Sequence, residues 1–246
     1  MQGKVILVTG GAKRVGAAIC RRLHAAGARL AIHYHTSATE ARALQAELNA
    51  LRADSVAVFS ADLLDLQALP LLVAQSMAQF GRLDGLVNNA SSFYATPLTN
   101  VTEQDWHDLL GTNLKAPLFL AQAAATELRR TQGSIVNIVD IHAERPMTSH
   151  LVYSVAKAGL RALTLGLAQE LAPEVRVNGV SPGPILWPEH GDWQDTEKRA
   201  AIVAQTLLQR VGAPDDIAKT VLFLMQDAPY ITGQIIAVDG GKSINT

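Results

Sequence analysis

The chain has 246 residues, of which 48% are hydrophobic and 17% are charged. A chain this long and this apolar can bury a sizeable core, which argues against intrinsic disorder. The 21 Lys and Arg residues balance 22 Asp and Glu residues, so we expect neither a broad nucleic-acid surface nor an anionic-membrane surface. The single cysteine, Cys20, excludes an internal disulfide and favours a reducing, cytoplasmic location.

The N-terminal segment also bears on location. The chain reaches a glycine-rich turn at Gly10, which leaves no room for the apolar region of a signal peptide. No uninterrupted run of about 18 apolar residues is present to span a bilayer. We therefore expect a cytoplasmic protein without a membrane partner.

Short apolar segments alternate with longer amphipathic segments along the whole chain. The short segments are rich in β-branched residues, and they are Val5–Val8, Leu30–Ile32, Val56–Phe59, Gly85–Val87, Ile135–Val139, Val175–Val177 and Ile235–Val238. Such runs are typical of strands buried on both faces, as in a parallel sheet. Helical patterns lie between them, at 15–27, 38–52, 65–80, 112–130, 152–172 and 215–226. This order predicts an α/β fold, a doubly wound parallel sheet of about seven strands with helices on both faces.

No linker rich in Pro, Ser or Gly and no block of charge divides the chain. We therefore predict a single domain over residues 1–246. The one irregular stretch is residues 183–197, which contains Trp187 and Trp193. Long loops inside a compact domain often carry function, so we predict that this loop covers or contacts a substrate. The alternative is a surface excursion whose tryptophans pack on the core.

A glycine-rich turn follows the first strand, in the sequence Thr9-Gly-Gly-Ala-Lys-Arg-Val-Gly16. Glycines at a strand-to-helix turn let the backbone approach a pyrophosphate, and the helix N-terminus supplies N–H groups and a positive dipole end. The residues predicted to bind a cofactor here are Gly10, Lys13, Arg14, Val15 and Gly16. The turn alone is weak support, and an ordinary glycine-containing turn is the alternative.

The end of the second strand indicates which nicotinamide cofactor is used. NAD-binding folds usually place an Asp or Glu there to bond the ribose hydroxyls, whereas this chain has no carboxylate before Glu40. The polar groups that could surround a 2′-phosphate are Lys13, Arg14, His35, Thr36 and Ser37. We therefore predict NADP(H) as the cofactor. The alternative is a solvated loop whose histidines are merely exposed.

Polar residues also follow the third and fourth strands. Asp62 is placed to take an adenine amino group, with Leu63 beside it, and Asn88-Asn89-Ala90 is placed to line the nicotinamide side of a cleft. Each of these residues alone could be a turn residue. Together they lie at the carboxyl ends of successive strands, where open α/β sheets bind ligands.

Tyr153 and Lys157 lie four residues apart in a helical pattern, so both side chains lie on one helix face. A free tyrosine has a pKa of about 10, which is too high for ready proton transfer at neutral pH. A nearby ammonium favours the phenolate and lowers that pKa, which would make Tyr153 a usable acid or base. Such pairs are common by chance on helix surfaces, so the preceding nucleotide turn supplies the context that favours catalysis.

Together these motifs resemble the short-chain dehydrogenase/reductase family over essentially the whole chain. The residues that carry the resemblance are Thr9–Gly16, Asn88–Ala90, Asn113, Tyr153 with Lys157, and Pro182-Gly183. The family implies a Rossmann-type fold, hydride transfer from a nicotinamide cofactor, and a homotetramer. It also implies that Tyr153 is the proton donor and that Lys157 binds the nicotinamide ribose and lowers the tyrosine pKa. Asn113 would hold a water in the proton relay, and Pro182 and Gly183 would contact the cofactor.

Two departures from the common pattern resemble the pteridine reductase branch of that family. Arg14 stands where the pattern has a glycine, and Asp140 stands where it has a catalytic serine. The segments Asn89–Tyr94 and His33–His35 resemble the same branch. The branch implies NADPH-dependent reduction of dihydropterins or oxidised pterins, and often folates. Its substrate residues would be Arg14, Ser91, Phe93, Asp140, Tyr153 and Trp187, with the pterin ring between Phe93 and the nicotinamide.

Several alternatives stay open. Thr36 is a mismatch, because members of the branch often have an Arg there. Asp140 could instead cap the loop after its strand, and Phe93 could be an ordinary core residue. Two other functions fit the motifs: a carbonyl reductase for a 3-oxoacyl or small ketone substrate, and a non-catalytic NADP(H)-binding sensor. The Tyr153–Lys157 pair argues against the sensor, and the sequence predicts no metal site.

Overall fold

The computed structural model describes residues 1–187 and 192–245. Its strands are β1 Val5–Val8, β2 Arg29–Tyr34, β3 Val56–Ser60, β4 Gly85–Asn88, β5 Ser134–Ile138, β6 Arg176–Pro182 and β7 Ile235–Val238. They form one sheet in the order β3-β2-β1-β4-β5-β6-β7, and every neighbouring pair is parallel. The order reverses direction at β1, as in a doubly wound fold. The predicted fold class is therefore confirmed.

The helices cover both faces of this sheet. Within the described residues they are α1 Arg14–Ala25, α2 Ala38–Leu51, α3 Ala68–Phe80, α4 Glu103–Leu110, α5 Ala116–Thr131, α6 Leu151–Glu170, α7 Thr196–Ala204 and α8 Pro214–Gln226. Side chains from α1, α2 and α8 pack in the core on one face. Side chains from α3, α5 and α6 pack in the core on the other face.

The alternation of side chains along β1 explains why its four residues are all apolar. Ile6 and Val8 belong to the core beneath α1 and α8, whereas Val5 and Leu7 belong to the core beneath α3 and α5. All four are at most 1% exposed. Successive strand residues point to opposite faces, so a strand covered on both sides must be apolar at every position.

The apolar pattern of the sequence did not indicate α4 and α7. α4 is short and mostly exposed, but its start is marked: Thr102 Oγ1 accepts the Asp105 N–H at 3.1 Å, and the Asp105 carboxylate accepts the Thr102 N–H at 2.9 Å. This capping box marks the start of a helix through polar residues, which the pattern of apolar residues does not reveal. The helix predicted at 112–130 is preceded by a π-helical turn, Gly111–Lys115, a feature often found at functional sites.

Among the described helices, only α6 is long and apolar enough to cross a membrane, with 20 residues and a mean hydropathy of 1.3. However, 44% of that stretch is buried inside the protein. A helix packed in the core of a folded domain meets the same criterion, so the finding does not indicate a membrane span.

Candidate active site

A cleft of about 570 Å³ opens at the carboxyl ends of the strands, the edge at which open α/β sheets bind ligands. Most of the residues predicted to bind cofactor or substrate, or to act in catalysis, line this cleft. They are Gly10, Lys13, Arg14, Val15, Gly16, His35, Ser37, Asp62, Leu63, Ala90, Ser91, Asp140, Tyr153, Lys157, Pro182 and Gly183. The topology therefore brings the ends of β1 to β6 together in one place.

The glycine-rich turn between β1 and α1 leaves space for an anionic group. Gly10 has a φ of +59°, and a Cβ there would lie 2.9 Å from Ala90 Cα, so only glycine fits without strain. A Cβ on Gly16 would collide with the Gly10 carbonyl oxygen. α1 begins at Arg14 without a side-chain cap and has no acidic residue in its first turn. Its first N–H groups and positive dipole end therefore fit the pyrophosphate of a dinucleotide.

Two polar side chains, of Thr9 and Asn89, join this turn to the end of β4. Thr9 Oγ1 accepts the backbone N–H groups of Asn89 at 3.0 Å and Ala90 at 3.1 Å. The Asn89 amide donates to the carbonyl oxygens of Thr9 and Gly10, both at 3.0 Å. Asn89 and Ala90 also line the cleft, where the sequence placed them.

The segment after β2 forms one wall of the cleft. His35 and Ser37 line it, whereas Thr36 is exposed and does not. Ser37 precedes α2, and its side chain makes no capping bond. The first carboxylate after the strand, Glu40, is paired with Lys13 Nζ at 3.5 Å. The side chains that face the cleft here are therefore non-acidic, in agreement with the sequence.

Asp140, Tyr153 and Lys157 meet where β5 ends against α6. The Tyr153 hydroxyl donates to Asp140 Oδ2 at 2.8 Å, and Asp140 Oδ1 accepts the His142 backbone N–H at 2.8 Å. Lys157 Nζ donates to the Ile138 carbonyl oxygen at 2.9 Å and lies 5.6 Å from the centre of the Tyr153 ring. Asp140 therefore both caps the turn after β5 and bonds the tyrosine, and its contact with a substrate stays a prediction.

Comparison with known proteins places this geometry in a family. A sequence profile described as enoyl-(acyl carrier protein) reductase matches residues 10–243, a span that includes the turn, Asp140, Tyr153 and Lys157. The chain belongs to the short-chain dehydrogenase/reductase family. It is accordingly an NAD(P)-dependent oxidoreductase by family, and the resemblance carried by the motifs is confirmed.

Individual relatives of this short-chain dehydrogenase/reductase align over nearly its full length. It is 38% identical to pteridine reductase 1 of Leishmania tarentolae, covering 98% of this chain and 96% of that protein. It is 36% identical to a 3-oxoacyl-[acyl-carrier-protein] reductase of Staphylococcus aureus, covering 97% of each. Among solved structures it is similar to a blue fluorescent protein from a metagenomic library in complex with NADPH, with a TM-score of 0.90, 38% identity and 98% of each chain covered.

The tyrosine of this family member does not have the lowered pKa that the sequence predicted. Burial raises the pKa of Tyr153 well above 10, and the charge and hydrogen bond of Asp140 raise it further, because a buried phenolate would face that carboxylate. Burial also lowers the pKa of Lys157 to about 8, with Asp140 acting in the opposite direction. The prediction is therefore wrong for this arrangement, and the Tyr153 hydroxyl retains its proton at neutral pH.

Two asparagines that the resemblance placed in the site are buried outside the cleft surface. Asn88 Nδ2 donates to Asn137 Oδ1 at 2.8 Å, so this side chain ties β4 to β5, and its contact with the cofactor stays a prediction. Asn113 donates to the Ser92 carbonyl oxygen at 2.9 Å and accepts from Ser91 Oγ at 2.7 Å. Asn113 thus holds the segment after β4, and its contact with a relay water stays a prediction.

Phe93 and Trp187 also lie outside the cleft surface. The Phe93 ring stacks on His150 with centroids 4.8 Å apart, and it meets Tyr153 edge-on at 4.8 Å. Trp187 stacks on Trp193 at 6.4 Å. Trp193 also lies near Phe93, with ring centroids 6.2 Å apart. The pterin platform on Phe93 stays a prediction.

Arg14, at the position of the family's glycine, joins the nucleotide turn to the loop predicted to contact substrate. It has a φ of +53°, which is uncommon for a residue with a side chain. Its guanidinium donates to the carbonyl oxygens of Trp187 at 3.0 Å and Leu186 at 3.4 Å. Residues 188–191 of the loop lie outside the described residues, and α7 follows from Thr196.

His33 lines the cleft, although the sequence motifs did not indicate it as a site residue. It is only 2% exposed, which corrects the alternative of mere exposure for this histidine, whereas His35 is exposed. The signal was present in the sequence, because a polar residue in a strand covered on both faces must find hydrogen-bond partners.

Proposed function

We propose that this protein is an NADPH-dependent pteridine reductase that converts dihydropterins to tetrahydropterins, with oxidised pterins and folates as related substrates. The observation that carries the proposal is the 2.8 Å hydrogen bond from the Tyr153 hydroxyl to Asp140 Oδ2 inside the cleft. The common family pattern has a serine at the position of Asp140. The 38% identity to pteridine reductase 1 of Leishmania tarentolae supports the same assignment.

A carboxylate suits a pterin better than a serine does. A serine hydroxyl serves a carbonyl substrate by donating to its oxygen, whereas a carboxylate accepts bonds from ring and amino N–H groups. Asp140 accepts one bond from Tyr153 and one from the His142 backbone. Because a carboxylate has about four acceptor positions, the remaining capacity of Asp140 is available to pterin N–H groups.

Reduction of the C=N bond of a dihydropterin adds a hydride to carbon and a proton to nitrogen. A bound reduced nicotinamide would supply the hydride. The Tyr153 hydroxyl is the proton donor of this proposal: its raised pKa keeps it protonated at neutral pH but makes it a weak acid before substrate binds. Pterin N–H groups that donate to Asp140 would spread the carboxylate charge, so the tyrosine would become a stronger acid when substrate is bound.

NADP(H) is the cofactor that the described residues fit. The N-terminus of α1 would take the pyrophosphate, Lys157 the nicotinamide ribose and Asp62 the adenine amino group. His35 and Ser37 line the cleft where the 2′-phosphate is expected. The NADPH complex of the similar solved structure supports this assignment.

Ser37→Asp is expected to shift the cofactor preference from NADPH toward NADH. A carboxylate at the start of α2 would repel a 2′-phosphate, whereas the helix itself tolerates Asp as an N-cap. The ratio of kcat/KM for NADPH to kcat/KM for NADH should fall by about tenfold or more, as followed by the absorbance of the reduced cofactor. Ser37→Asn, which adds similar volume without charge, should keep the preference. Equal kcat/KM with both cofactors in the unmodified protein would contradict the NADP(H) assignment.

Steady-state assays with two substrate classes test the function itself. The protein should oxidise NADPH rapidly with dihydrobiopterin and only weakly with acetoacetyl-CoA. The second candidate function is 3-oxoacyl reduction, which the 36% identity to the Staphylococcus aureus 3-oxoacyl reductase favours. A higher kcat/KM for acetoacetyl-CoA than for dihydrobiopterin would replace the pteridine proposal with this second function.

We also propose that the protein acts in the cytoplasm as a homotetramer on a small molecule, without a nucleic-acid or membrane partner. The tetramer rests on the family resemblance.

A further inference from the structure

His33 connects two parts of the nucleotide site that follow different strands. Its Nδ1 accepts the Gly10 N–H at 3.2 Å, and its Nε2 lies 3.1 Å from the Ala61 carbonyl oxygen. A backbone N–H only donates and a carbonyl only accepts, so Nε2 carries the proton. Burial lowers the pKa of His33 to about 4. The Ala61 carbonyl and Asp62 act to raise this pKa, whereas His35 acts to lower it. The imidazole is therefore neutral at neutral pH.

Hydrogen bonds on both the carbonyl oxygen and the N–H of Gly10 hold this residue in its left-handed conformation. Its carbonyl oxygen accepts the Asn89 amide at 3.0 Å, and its N–H donates to the His33 ring. The next N–H, of Gly11, donates to the His33 carbonyl oxygen at 3.0 Å. His33 thus takes two successive N–H groups of the turn, but only the ring contact depends on the residue being a histidine.

We propose that His33 is a positioning residue of the NADPH site, which fixes the pyrophosphate-binding turn at Gly10 relative to the segment that carries Asp62. It acts through the backbone of Gly10 and Ala61. Without its ring nitrogens, the Gly10 N–H loses its acceptor, and the turn is tied to the end of β3 only through backbone bonds, from Gly11 N–H to His33 and from Ala61 N–H to Tyr34. The inference rests on the proposed NADP(H) function, because affinity for NADPH is its readout.

Three substitutions separate the two ring contacts. His33→Asn keeps an acceptor oxygen two bonds from Cβ, where Nδ1 lies. His33→Gln keeps an amide that reaches the Ala61 carbonyl but places no acceptor at Gly10, and His33→Leu removes both contacts. The dissociation constant for NADPH, measured by its fluorescence on binding, should rise about tenfold in the Gln and Leu variants and stay within about twofold in the Asn variant. KM for NADPH should follow the same order, with kcat at saturating NADPH changed by less than about twofold.

A second buried histidine provides the matched control. His24 Nε2 lies 2.8 Å from Ser55 Oγ, at the opposite end of the sheet, so His24→Asn should lower the melting temperature without changing the NADPH affinity. Folded Gln and Leu variants that bind NADPH as tightly as the unmodified protein would overturn the inference. An Asn variant as weak as the Leu variant would do the same, because the acceptor at Gly10 would then not matter. If the unmodified protein does not bind NADPH at all, the proposed function fails first and this inference with it.

If a variant does not fold, a measurement on the unmodified protein still tests the inference. Nitrogen NMR of protein with labelled histidine should show His33 neutral and protonated at Nε2 at neutral pH. A proton on Nδ1 would exclude the bond from Gly10 and overturn the inference.

Discussion

Asp140→Ser is expected to lower kcat/KM for a dihydropterin by about 100-fold or more while leaving the dissociation constant for NADPH nearly unchanged. The shorter hydroxyl cannot accept several pterin N–H groups at once, and it removes the carboxylate that the Tyr153 hydroxyl bonds at 2.8 Å. The variant should also gain weak reduction of simple ketones, because it restores the serine of the common family pattern. Rates with a dihydropterin and with a ketone, in both proteins, are the measurement.

Asp140→Asn is the matched control for the structural role of this residue. Its carbonyl oxygen can still accept the His142 N–H that Asp140 accepts at 2.8 Å, so the turn after β5 stays capped. Its charge is lost, so pterin reduction should fall as it does in the serine variant. If Asp140→Ser reduces dihydropterin as fast as the unmodified protein, the pteridine mechanism is wrong and carbonyl reduction becomes the leading function.

Tyr153→Phe is expected to lower kcat by about 100-fold or more, the range for a positioned acid or base. The ring should stay in place, because it packs in an apolar cluster with Leu109 and Val152 and makes a T-shaped contact with Phe93. NADPH should therefore still bind with nearly the same dissociation constant. Single-turnover oxidation of NADPH in the presence of a dihydropterin measures the loss at the chemical step.

Tyr230→Phe makes the same chemical change on a fully exposed residue and should leave turnover unaffected. Tyr153→Phe with near-normal turnover of a pterin would show that another group donates the proton. Because Asp140 bonds the same hydroxyl, the double variant of Asp140 and Tyr153 should lose little more than either single variant.

The fold and the place of the site were predictable from the sequence because the signals are local. Val5–Val8 is apolar at every position, as a short strand covered on both faces requires. The glycines of the turn after β1 and the absence of a carboxylate before Glu40 are likewise legible without knowledge of what packs against them. The spacing of Tyr153 and Lys157 places both on one face of α6 by helix geometry alone.

Only the tertiary structure decided which groups bond one another across strands. The Asn89 side chain bonds the glycine-rich turn, whereas the side chain of its neighbour Asn88 bonds β5. The two side chains differ in role because they point in different directions at the end of β4. The pKa of Tyr153 depends on its burial and on Asp140, and the two atoms that bond belong to a helix and a strand end. The partners of His33 come from the ends of β1 and β3. Burial and hydrogen-bond geometry depend on segments that are distant in the chain, whereas periodicity and spacing depend on a few consecutive residues, and this is why the sequence located the site but did not determine its electrostatics.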